Sequence, residues 1–315
     1  MISAATVVAM TGGMLLLSDD LNLLGLARLR IGTRVFPVTG VTAIVLDLLS
    51  AKGDGAMPSL LRLWLSDSRV DTKSQTTHSN VARNALRTCY SQENTWPNPA
   101  KRERNCIPVA SGLGTWACVS VSNWSDTPKV VSIPIMAFLI TSFGSRIGQS
   151  KYSESNEELS KTNGYHILSF WSSKYLWVSN DQIRRGRTLS KKLGPHESEI
   201  FHVKKVTLDL PQYIGSDLHF TCGYEVSSFA FENNKVVVQL NNEFRRAGYI
   251  YMYVPTSHSS VQFVKVNDDN GRVDCITRVP YINSDDRAFA GLVLRIWVVI
   301  HATGTATDGR VEILI

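Results

Sequence analysis

The apolar positions of this chain change their period as it runs, and the change divides it. Residues 3–10 (SAATVVAM) are small and apolar, as at the end of a packed helix. Met14 to Leu17 is a short unbroken apolar run between a glycine pair and the acids Asp19 and Asp20. Runs of that kind suit strands buried on both faces. From Leu21 to Val35 the stripe recurs every three to four positions (Leu21, Leu24, Ala27 or Arg28, and Ile31), which predicts a helix with Arg28, Arg30 and Arg34 outside. Pro37 and Gly40 end it, and VTAIVLDLL (41–49) is a second β-branched run with Asp47 near its end. Strand, helix and strand within so short a span predict a parallel β/α unit.

Beyond Thr115 the period becomes two. TWACVSVSNW alternates. VVSIPI, GYHILSFWSSKYLWV (164–178), SEIFHV, LHFTCGYEVSSFAFE, NKVVVQLNN, GYIYMYVP, VQFVKV, GLVLRIWVVI and GRVEILI follow as further strand candidates. Asn233-Asn234 and Asp269-Asn270-Gly271 read as turns. Short strands separated by turns at this spacing predict one or two antiparallel β-sandwiches. Between the two regimes, residues 68–110 hold no sustained stripe and carry Pro97, Pro99 and Pro108. They read as a long loop or disordered insertion foreign to the surrounding fold, such as an untrimmed intron, because SLLRLWLSD before it and GTWACVSVSNWSD after it would join naturally. The expected organisation is therefore mainly β: 1–67 a parallel β/α unit, 68–110 the insertion, 111–207 a β-sandwich and 208–315 a second β-rich module.

Charge sharpens this picture. The formal charge is +6, but residues 68–110 hold seven Lys/Arg against three Asp/Glu and residues 184–205 seven against two, so the rest of the chain is slightly acidic. Two basic segments, not a basic surface throughout, account for the balance. RRGR (184–187) with Lys191 and Lys192 reads first as a solvated hairpin tip and second as a phosphate contact; no nucleic-acid motif accompanies it. The five cysteines are scattered, with no CxxC pair and no zinc spacing, and His196 and His202 lack Cys or carboxylate partners nearby. No cofactor or metal is expected. The first residues lack a basic n-region and a cleavage site, and no transmembrane run follows, so they read as part of a fold that begins within a domain. The compartment is left open.

Candidate chemistry sits at the first strand end. In β/α barrels, groups at the C-terminal ends of strands line the active site, so the acids Asp19 and Asp20 read as site-lining residues, or one of them as the N-cap of the following helix. Trp171, Ser173, Tyr175 and Trp177 share a face if 170–178 is one regular strand, and form either a sugar-stacking platform or sandwich core. Tyr249, Tyr251 and Tyr253 alternate in the same way. Asn123-Trp124-Ser125 is a glycosylation acceptor pattern.

Taken in order, GGMLLLSDDL, VTAIVLDLL, VSVSNWSDTP, YHILSFWSSKYLW, LGPHESEIFHV, YIGSDLHFTCGYEVSSF and NNKVVVQLNNEFRRAGYIYMYVP resemble the C-terminal portion of the α-galactosidase-like glycoside hydrolases, especially their fungal branch. The resemblance covers most of 3–67 and 111–266, and the order of the pieces is more specific than any one of them. It implies that 1–67 is the C-terminal end of a β/α barrel, its last two strands, and that the reaction is hydrolysis of terminal α-linked sugars, with an oligosaccharide or glycoside as partner. It also implies that the catalytic Asp pair, which follows barrel strands four and six, precedes the matching segment, so no catalytic residue is expected here. Ser18, Asp19 and Asp20 would then be substrate-binding residues at the rim of the site. The alternative is a non-catalytic carbohydrate-binding or scaffold β-sandwich.

Overall fold

The computed structural model describes residues 2–11, 25–36, 44–45, 60–66, 113–135, 164–207, 210–243, 245–255, 261–267, 269–270, 272–282, 288–303, 305 and 307–315. It is mainly β, built of antiparallel sheets, with no closed barrel among the described residues.

Six strands form the first sheet, in the order β1 (Ile44–Val45), β2 (Leu60–Ser66), β3 (Thr115–Ser122), β8 (Ser198–Lys205), β5 (Tyr165–Ser169) and β6 (Lys174–Val178). A two-stranded ribbon of β4 (Lys129–Pro134) and β7 (Thr188–Leu193) covers one face of this sheet, enclosing Val119, Val121, Ile133, Ile167, Phe201 and Val203. The opposite face, carrying Trp116, Cys118, Leu168, Phe170 and Ile200, is covered too. Double coverage explains why β8 is buried at every position but its last, and why its sequence shows no clean alternation.

The second module pairs a sheet ordered β15 (Val273–Ile282), β16 (Ala288–Ile300), β12 (Arg246–Val254), β9 (Gln212–Ser216) with one ordered β10 (Val226–Glu232), β11 (Lys235–Leu240), β17 (Arg310–Leu314), β13 (Phe263–Val266), β14 (Asp269–Asn270). Their core is alternate: Ile250, Met252, Leu294, Ile296 and Val298 meet Val236, Val238, Val311 and Ile313. Here the period-two reading holds, since β11 and β17 bury every second residue. Asn233 and Asn234, with φ of 51° and 60°, make the two-residue turn joining β10 to β11. The turn expected at 269–271 lies earlier, at Asn267 (φ 52°), and Asp269–Asn270 is itself a short strand.

Two helices, α1 (Ile2–Thr11) and α2 (Leu26–Val35), dock on this β framework. Ala9, Met10 and Val35 enter the same core as Trp116, Phe170 and Phe220. The helix expected over 21–35 is described from Leu26, and its inward stripe is rotated from the expected one. Leu26 is 80% exposed, while Arg34 turns inward. Met14–Leu17, the first strand of the expected β/α unit, lies outside the described residues. Ile44–Val45 pairs antiparallel with β2, and β2 pairs along its length with β3. In that pairing Ser66 faces Thr115, so the insertion leaves and returns at one rung of the sheet. No helix among the described residues is long and apolar enough to cross a membrane.

Candidate functional site

Ser18, Asp19 and Asp20 lie outside the described residues. The helices on either side of them are described, and their attachment is specific. Arg34 on α2 donates from Nε to the Asp217 carbonyl (2.5 Å) and from Nη2 to the Phe170 carbonyl (3.0 Å). Its guanidinium stands 3.7 Å from Asp217 Oδ2 and stacks over the Phe170 ring at 4.5 Å. Trp171 Nε1 donates to Thr6 Oγ1 on α1 (2.9 Å), Ser3 donates to the His196 carbonyl, and Arg246 Nη2 donates to the Phe36 carbonyl (2.7 Å).

Behind these contacts the segment 217–225 forms a buried polar loop, where the sequence had suggested strand. Cys222 (φ 52°) places Sγ 3.0 Å from His202 Nδ1, and His202 Nε2 donates to the Phe220 carbonyl (2.5 Å). Gly215 makes room for this, because a Cβ there would lie 2.7 Å from the Cys222 sulfur. Cysteine beside histidine is the layout of a thiol nucleophile, but the electrostatics oppose that role. Burial holds the His202 pKa down to about 4 and pushes the Cys222 thiol well up, so the pair is thiol and neutral imidazole at neutral pH. Next to it, Ser216 Oγ (2.5 Å) and Tyr213 OH (2.6 Å) both donate to Glu225 Oε1, and burial raises the Glu225 pKa against those bonds. Cys222, His202 and Glu225 are each at most 2% exposed. This network holds the loop between the sheets and is closed to substrate.

The half-exposed chemistry lies on the outer face of the β9–β12–β16–β15 sheet. The aromatic run expected on one strand is instead a hairpin: residues 170–173 turn, with Ser173 at φ 52°, and β6 returns antiparallel to β5. Trp171 is thereby separated from Tyr175 and Trp177. The latter two face the second module and pack with Tyr251, Tyr253 and Tyr249. Tyr175 OH lies 2.7 Å from His166 Nδ1, and burial lowers the His166 pKa to about 3. Core packing thus accounts for most of both aromatic runs. At the margin of the seam the aromatics emerge. Tyr249 and Trp297 face each other across β12 and β16, edge to face with centroids 4.8 Å apart. The Arg295 guanidinium caps the Tyr249 ring at 4.5 Å and binds Asp274 Oδ2 at 2.7 Å. That bond draws the Asp274 pKa down and the Arg295 pKa up. Asp217 borders the same margin: its Oδ1 accepts from the Tyr249 N–H (2.7 Å) and its Oδ2 from Ser173 Oγ (3.1 Å). Gly248 permits this approach, since a Cβ there would lie 2.1 Å from Asp217 Oδ1.

The Arg295–Asp274 and Tyr249–Trp297 pairs escaped the sequence reading. The available signal was an arginine and a tryptophan two apart in the otherwise aliphatic GLVLRIWVVI, which puts both on one face of a strand. His196 and His202 do not meet. His196 is on an exposed turn, bonded to Asp126 (2.8 Å), while His202 is interior. Among the described residues no cluster of His, Cys, Asp and Glu has the make-up of a metal site. Asn123 is 3% exposed, and its Nδ2 donates to the carbonyls of Thr127 and Gly194 (both 2.8 Å), so the acceptor nitrogen of the glycosylation pattern is held inside the fold. No family model matches the chain, and no curated protein matches it.

Proposed function

We propose that this chain is the C-terminal, carbohydrate-contacting part of a glycoside hydrolase of α-galactosidase type, without turnover of its own. The observation that supports this reading is the half-exposed ledge of Trp297 and Tyr249 beside the Arg295–Asp274 pair. Pyranose rings present C–H faces to aromatic rings and hydroxyls to bidentate polar groups, and a planar indole next to a fixed guanidinium–carboxylate pair offers both. Three acids at or near the core are already engaged within the fold. Retaining hydrolysis needs two carboxyl groups about 5–5.5 Å apart on either side of the scissile bond. Glu199 is tied to Lys191, Asp217 to Arg34 and Ser173, and Glu225 is sealed within its network. The second reading, a carbohydrate-binding β-sandwich with no enzymatic parent, uses the same ledge.

Calorimetric titration of the full chain with methyl α-galactoside tests the ledge. Single-site affinity in the range of about 1 mM is expected, and Trp297→Ala and Arg295→Gln should each remove it. An aryl α-galactoside should not be hydrolysed. Absence of heat at high ligand concentration, or binding unchanged in both variants, would refute the reading.

A further inference from the structure

We propose that the outer face of the β4–β7 ribbon, with the tip that leads into it, binds an acidic polysaccharide through its carboxylates. The tip is a short helix, α3 (Asn180–Arg184), which the sequence reading did not foresee in the RRGR segment. It is rigid. Ser179 and Gln182 form a reciprocal capping box, Ile183 is buried beneath the ribbon, and the N–H groups of Arg185 and Arg187 donate to the carbonyls of Asp181 and Gln182 at 3.0 Å. A fixed backbone therefore displays the exposed Arg184, Arg185 and Arg187. Asp181 offsets Arg184 only loosely (3.6 Å, with both side chains largely exposed), and among the described residues no acid pairs with Arg185 or Arg187.

The ribbon continues the stripe. Strand alternation splits the lysine pair: Lys191 points inward and binds the buried Glu199 (2.9 Å), while Lys192 points out. Lys129 is exposed at the same end of the ribbon but pairs with the buried Leu193, so the outward neighbour of Lys192 across the pair is the exposed Val130. Between the arginine tip and Lys192 the outward positions of β7 are hydroxyls, Thr188 and Ser190, and Ser132 on β4 faces Ser190 at 3.0 Å. From Arg187 to Lys192 the strand spans about 17 Å. Cations at both ends of a hydroxyl-lined, uncharged middle suit a polymer whose carboxylates recur along a hydroxyl-rich backbone. A simple phosphate needs only one end. The inference shares with the preceding subsection the premise of a carbohydrate partner, but uses a different surface.

The test is binding of the full chain to immobilised polygalacturonate, its fully methyl-esterified form and double-stranded DNA. Four engaged cations, Arg184, Arg185, Arg187 and Lys192, predict a loss of about 50-fold in affinity as salt rises from about 50 to 200 mM. The acidic polymer should retain the chain and the esterified polymer should not. R184Q/R185Q/R187Q, all at exposed positions, should abolish retention while leaving the thermal unfolding midpoint in place. W297A should bind the acidic polymer as the parent does, which separates failure of this surface from failure of the aromatic ledge. No retention, equal retention by the esterified polymer, equal binding of the arginine variant, or DNA bound as tightly at the same salt would each overturn the proposal.

Discussion

Acid should unfold this protein through two histidines it keeps neutral inside. His166 lies between the first sheet and the β12 sheet, facing Tyr175 and Tyr253, with Lys204 nearby opposing its protonation. His202, on β8, faces the buried loop, between Cys222, the Phe220 carbonyl and Arg34. Burial lowers their pKa values to about 3 and about 4, from 6.5. Groups with depressed cationic pKa values bind fewer protons folded than unfolded. Stability is therefore intact above pH 6.5 and falls as pH drops from 6.5 toward the folded values. Each histidine removes about 1.4 kcal/mol per pH unit in that window, so at pH 4.5 each has removed about 3 kcal/mol. Their sum, about 5–6 kcal/mol, is comparable with the whole stability of an ordinary domain. Glu225 acts in the opposite sense. Its raised pKa makes the folded state bind more protons above pH 4.5, which offsets part of the loss. A difference measurement removes that offset. Urea unfolding of the parent, His202→Gln and His166→Asn should be followed at pH 7 and pH 4.5. Each variant starts less stable at pH 7, but the gap to the parent should close, or reverse, by about 3 kcal/mol at pH 4.5. Gaps that do not change between the two pH values would refute the reasoning.

Arg34→Met should cost about 3 kcal/mol by chemical denaturation, because it leaves Asp217 half-buried without its cation and two carbonyls without a donor, and Arg34→Lys should recover less than half of that. Replacing residues 67–112 with two glycines, while keeping the buried Leu113, should preserve the fold and raise stability by about 2 kcal/mol through the shorter loop, read as a higher urea midpoint. Asn123→Ala should lower stability by about 2 kcal/mol, since Thr127 and Gly194 lose the donor to their carbonyls.

The second module was the most legible in sequence. Strands β11 and β17 have one face in the core and the other polar or only partly covered, so alternation in KVVVQL and GRVEILI maps directly onto inside and outside. The first sheet was harder to read, because both its faces are covered and SEIFHVKK carries no period. GYHILSFWSSKYLWV concealed a hairpin because its turn holds a phenylalanine and a tryptophan, which anchor helices and core, between residues with strand propensity. The buried loop 217–225 looked like strand for a related reason: its polar side chains bond to one another inside the protein, so composition did not mark it as a turn. The ledge needed two strands in register. Tyr249 and Trp297 are far apart in sequence, and Asp274 meets Arg295 only because β15 pairs with β16.

The docking of α1 and α2 bears on how the molecule can be divided. A cut near residue 111, where the sequence suggests a boundary, would remove Ala9, Met10 and Val35 from a core they share with Phe170 and Phe220, and would take away Thr6 and Arg34 from Trp171 and Asp217. The remaining β-framework would present a bare aromatic wound to solvent, the kind of surface that chaperones and proteases recognise. The unit of cooperative unfolding therefore includes the helices, and a fragment trimmed to the β-sheets alone would be selected against during expression before any ligand could be tested.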